Sequence, residues 1–114
     1  MELIFVYNAK SGKLNALFDI AHKIVKPETY QCSLCAITHD ALSEKKVWSE
    51  FKANTKLDLE FLHKDEFEKQ YKQTYDYPVI LEKSDPIKTI ISSEELRKLN
   101  NVEDLIKRIK QLKT

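Results

Sequence analysis

The chain of 114 residues has one glycine, Gly12, and three prolines. A loop that cradles phosphate on successive glycine amides is therefore unavailable, and turns fall to Asn, Asp, Ser and Pro. Charge of one sign is also missing. Nineteen Lys and Arg stand against 18 Asp and Glu, for a net charge of +1. So small an excess supplies no broad field for DNA, RNA or an anionic membrane. No apolar run approaches the ~20 residues that span a bilayer. Met1 to Tyr7 has neither the basic start nor the apolar length of a signal peptide, so a cytoplasmic location is expected. In that compartment the two cysteines, Cys32 and Cys35, are expected as thiols or metal ligands rather than a structural disulfide.

The hydrophobic residues that are present are well ordered along the chain. Residues 1–114 have the length and composition of one domain, and no linker or repeat interrupts them. Leu3-Ile4-Phe5-Val6 is continuous and apolar, which predicts a strand at 2–8 buried on both faces. Apolar residues at 14, 17, 18, 21, 24 and 25 predict a helix that Pro27 ends. Tyr30 to Thr38 reads as an extended or loop segment. Asp40 or Ser43 is expected to cap a helix with Leu42, Val47, Trp48 and Phe51 inward. Alternation of Leu57, Leu59, Phe61 and His63 predicts a strand at 57–63, and Asp65 to Lys72 a short helix. Residues 78–82 and 87–91 read as a hairpin around Ser84-Asp85-Pro86. Ser92 with Glu95, and Asn101 with Asp104, predict two helix starts. In the last helix Val102, Leu105, Ile106, Ile109 and Leu112 share one face. Its basic residues form the wet face rather than a nucleic-acid patch. The expected fold is α/β: a small mixed sheet of four strands with helices on both faces.

Cys32-Ser33-Leu34-Cys35 is the one chemically pointed motif. Its spacing lets both sulfurs bind one metal or close a tight disulfide. A thiol with lowered pKa would be nucleophilic. His39 extends the motif to Cys-x-x-Cys-x-x-x-His, and His22 or His63 would supply a fourth zinc ligand. Return of the chain after Pro27 is expected to bring Cys32 beside His22. Redox and metal chemistry both remain open, as does a domain without chemistry that binds a protein partner. Asn8-Ala9-Lys10-Ser11-Gly12-Lys13 lies between strand and helix but lacks the P-loop's first glycine and following Ser or Thr, so it reads as a turn. His63-Lys64-Asp65-Glu66 could hold an acid–base pair, although a helix start with Asp65 as cap is the commoner outcome.

The element order, with Tyr77-Pro78 leading into Val79-Ile80-Leu81, resembles the thioredoxin-like fold over nearly the whole chain. That resemblance implies a cis peptide at Tyr77–Pro78. A protein partner or a thiol substrate is expected from the dithiol itself. In that family the Cys-x-x-Cys opens the helix after the first strand. Here Asn8 to Lys13 fills that place and the cysteines come later. The resemblance therefore implies the fold without the family's catalytic positions.

Overall fold

The computed structural model describes residues 1–8, 33–39 and 44–112. Along them run β1 (Glu2–Tyr7), α1 (Ser33–Thr38), α2 (Lys46–Asn54), β2 (Asp58–His63) and α3 (Lys64–Tyr71). Then come β3 (Val79–Glu82), β4 (Lys88–Ile91), α4 (Ser93–Arg97) and α5 (Val102–Lys110). The helix expected over residues 14–25 lies outside the described residues.

β1 is central because its side chains are apolar on both faces. The sheet order is β2-β1-β3-β4, with β1 parallel to β2 and antiparallel to β3, and β4 antiparallel to β3. Leu3, Ile4, Phe5 and Val6 are all fully buried. Each contributes roughly 2 kcal/mol of burial relative to exposure, taken as an upper estimate. Leu3 and Phe5 join Ile80, Ile91 and the larger core, which Leu34 and Ile37 of α1, Trp48 of α2, Leu96 of α4 and Leu105 and Ile109 of α5 complete. Ile4 and Val6 point to the other face with Val79 and Leu81, beneath Phe67 of α3. Helices thus cover both faces of a mixed four-stranded sheet, as the alternation along the chain predicts.

Local chemistry explains the ends of these elements. Ser92 Oγ accepts from the Glu95 amide at 3.2 Å, and Asn101 Oδ1 from the Asp104 amide at 2.9 Å. Each satisfies one orphan donor of a first turn. Glu103 and Asp104 open α5 and Lys107, Arg108 and Lys110 close it, a distribution that suits the helix dipole. The peptides Tyr77–Pro78 and Asp85–Pro86 are both cis, the first as expected. No helix among the described residues is long and apolar enough to cross a membrane.

Four local expectations need correction. Ser33–Thr38 is helical, because Leu34, Ile37 and Thr38 fall at helical spacing and are buried together. The N-cap of α2 is Lys45, without a side-chain cap bond, while Asp40 and Ser43 lie outside the described residues. Val47 points outward and is 44% exposed, because its neighbour Trp48 takes the inward position. The N-cap of α3 is His63 rather than Asp65, since Glu66 reaches back to it: Glu66 Oε1 accepts from the His63 amide at 2.8 Å.

Candidate functional site

The carboxyl ends of β1 and β2 and the start of β3 share one edge of the sheet. Val6 pairs with Val79, so Pro78 falls level with Tyr7, while Tyr7 pairs with His63. The ring of Tyr7 is the hub of this edge. It stacks on Phe61 with centroids 6.2 Å apart, and meets His63 at 6.1 Å and His39 edge-on at 6.4 Å. Beside it Lys64 Nζ donates to Asn8 Oδ1 at 3.2 Å.

α1 carries Cys35 and leads directly into His39, two of the expected residues. Cys35 is half-buried and packs at the margin of the larger core, next to the cluster that Tyr7 also borders. The His39 amide donates to the Cys35 carbonyl at 3.0 Å, one helical turn on. Positions i and i+4 share a helix face, so both residues lie on one side of α1. Cys32 and His22 lie outside the described residues.

Hydrogen bonds fix the ring of His39. Thr38 Oγ1 donates to the Leu34 carbonyl at 2.8 Å, which commits its only proton. The same oxygen lies 2.8 Å from His39 Nδ1 and must accept there, so the network assigns a proton to Nδ1. On the opposite side Nε2 stands 3.7 Å from Glu44 Oε2, an ion pair whenever the ring is protonated. A short backbone bridge also joins His39 to Glu44.

Glu44 is the anchor of this arrangement. Lys52 Nζ donates to Oε2 at 2.6 Å, and Ser49 Oγ donates to Oε1. Burial raises the carboxyl pKa. The bonds from Lys52 and Ser49 and the charges of Lys52 and His39 outweigh it, so the pKa lies below the usual carboxylate value. The ammonium of Lys52 also sits 5.0 Å above the centre of the Phe61 ring. Side-chain contacts thus run from α1 through Glu44 and α2 to β2.

His63 belongs to a different local unit. Its Nδ1 lies 2.8 Å from Glu66 Oε1, within the first turn of α3. Glu66 is held below its ordinary pKa by the His63 amide and then by the His63 ring. The pair is largely exposed and serves the helix start, which is the commoner of the two readings of His63 to Glu66. His39 and His63 therefore lie on either side of Tyr7 in separate networks.

Among the described residues no group of three or more His, Cys, Asp or Glu side chains could hold a metal ion. The residues that sequence reasoning passes over are Tyr7, Thr38, Glu44, Ser49 and Lys52. Only the Glu44-to-Lys52 charge pair leaves a trace, and eight residues apart it lies beyond the i,i+4 reach of helix neighbours. Comparison with protein-family models, curated proteins and solved structures finds no match to the chain.

Proposed function

We propose that the chain is a thioredoxin-like, cytoplasmic thiol-redox or redox-sensing protein whose working groups are Cys32 and Cys35. The observation that carries the reading is the placing of Cys35 and His39 one turn apart along α1, with His39 against Tyr7 at the carboxyl end of β1. A protonated imidazole near a thiol favours the thiolate, the attacking species in disulfide exchange. The fold part of the reading rests on the element order and on Pro78 leading into the β3–β4 hairpin.

The reaction balances as a two-electron exchange. One thiolate attacks a substrate disulfide and releases a substrate thiol. The second thiol attacks the mixed disulfide, gives up its proton, and releases the other substrate thiol. The protein is left with a Cys32–Cys35 disulfide, and a cellular dithiol or glutathione restores it.

The test equilibrates the whole chain in glutathione buffers of graded potential, quenches with an alkylating agent and reads the mass. A reversible two-electron transition that Cys32→Ser and Cys35→Ser each abolish supports the proposal. Native thiols that never oxidise overturn it in favour of a structural or partner-binding role. A zinc ion in the native mass spectrum, lost with either substitution, overturns it in favour of a metal site formed by Cys32, Cys35, His39 and one of His22 or His63.

A further inference from the structure

The two outer strands of the sheet differ in how their edges are protected. β4 has four residues, and Arg108 of α5 reaches over it to donate from Nη2 to the Ile90 carbonyl at 3.3 Å. Arg108 is itself held by Glu95 at 2.7 Å, so the cover is fixed. β2 is longer, with six residues, and pairs with β1 along one side only. Among the described residues no strand pairs with its outer side, where the His63 amide alone is taken, by Glu66 Oε1 at 2.8 Å, and the Leu59 and Phe61 amides are left. An uncovered edge of this length is a template for another strand.

We propose that β2 is a homodimer interface, at which a second copy of this chain pairs antiparallel to it and makes one continuous eight-stranded sheet. A two-fold axis perpendicular to the sheet keeps each face on its own side, so residues that face each other must have the same parity. Two registers fit the short strand. Centring the axis on Glu60 sets that carboxylate against its own copy, which is unfavourable. Centring it on Phe61 pairs Phe61 with itself and Leu59 with His63. It also sets Asp58 opposite Lys64 at both ends. His63 is still extended, with φ −76° and ψ 157°, so Lys64 continues the line of the strand by one residue. Glu60 then lies opposite Leu62 on the other face, where Tyr71 already donates to it at 2.8 Å. Charge complementarity therefore selects the second register and a second copy as the occupant. An unrelated extended peptide would gain no such matched ends.

The dimer does not depend on the thiol chemistry, and its test is separate. Sedimentation of the whole chain from micromolar to millimolar concentration should show a monomer–dimer equilibrium. Asp58→Lys sets two ammonium groups against each other at both ends of the paired strands. Lys64→Asp sets two carboxylates there instead. Each substitution should weaken self-association about ten-fold or more. Mixed in equal amounts, the two variants should form a heterodimer, because residue 58 of each copy then meets a residue 64 of opposite charge at both ends. The double variant Asp58→Lys with Lys64→Asp restores opposite charges at both ends and should recover the wild-type affinity. Hydrogen exchange on the wild type gives a readout independent of variant folding. The Leu59 and Phe61 amides should exchange more slowly as protein concentration rises. A chain that stays monomeric throughout, or a dimer indifferent to both single substitutions and with unchanged β2 exchange, overturns the proposal.

Discussion

Tyr77 donates its phenolic hydrogen to Glu68 Oε2 at 2.8 Å, tying the segment before β3 back onto α3. Burial and then this bond push the phenol's pKa up to about 12. Tyr77 also accepts from the Tyr75 amide at 3.3 Å, so one hydroxyl serves two partners.

Tyr77→Phe should therefore lower stability by about 1–2 kcal/mol, since it leaves Glu68 and the Tyr75 amide without this partner. The sign with pH follows from a folded pKa raised above the ordinary value of 10.0. The contribution is full below the unfolded pKa and is lost as pH rises through about 12. Phenolate absorbance should lose a very late ionisation in the variant, while Tyr71, also pushed up by burial and Glu60, keeps its own. An unchanged titration curve would count against the bond.

Glu44 has the opposite sign. Its folded pKa is lowered, so its stabilisation is present above the unfolded pKa and lost as pH falls through the folded value. Glu44→Gln should cost about 1 kcal/mol at neutral pH and flatten the acid limb of the stability curve. Urea melts of both proteins at neutral and acid pH check this, with the difference between them vanishing in acid.

Trp48 is the single tryptophan and is fully buried, touching Phe5, Phe51 and Phe61. Its Nε1–H is buried without a hydrogen-bond partner. Trp48→Ala should cost ~3–5 kcal/mol through the cavity it leaves. Trp48→Phe should cost clearly less, because it also removes the orphaned donor. Thermal melts by circular dichroism check the order. In the wild type, a red shift of tryptophan emission should coincide with that melt.

Lys72 ends α3 with φ 58° and ψ 36°, the left-handed region, while its amide donates to the Glu68 carbonyl at 2.9 Å. A Cβ costs roughly 1 kcal/mol there, and glycine has none. Lys72→Gly should raise stability by up to about 1 kcal/mol. A loss of stability on chemical denaturation would contradict this account of the helix end.

The readable parts of the sequence are those whose physics is local or periodic. Leu3 to Val6 announces a doubly covered strand because four consecutive apolar residues have no wet side. Ser92 and Asn101 announce helix starts because the cap and its amide stand three residues apart. α1 is hidden because six residues give less than two turns of pattern, so Leu34, Ile37 and Thr38 do not repeat. Val47 misleads because it and Trp48 are both apolar, and adjacent helical residues point ~100° apart. In the candidate site the histidines are visible as residue types. Their partners are not, since Glu44 reaches His39, Ser49 and Lys52 through a fold-dependent meeting of α1 and α2. Nothing in the local pattern reports that Tyr7 stands between His39 and His63.

The central position of β1 also governs how the chain acquires its sheet. Leu3 pairs with Leu59 on one side and Glu82 on the other, so both partners lie far along the chain. Among the described strands, the β3–β4 hairpin is the only pairing that a short loop can close. At ~5–20 residues per second of synthesis, β1 waits several seconds without either neighbour. For that interval Leu3 to Val6 is an adhesive, unsheltered segment. A nascent chain of this topology depends on the delayed arrival of β2 and β3, or on a chaperone holding it, to keep β1 from pairing with another molecule.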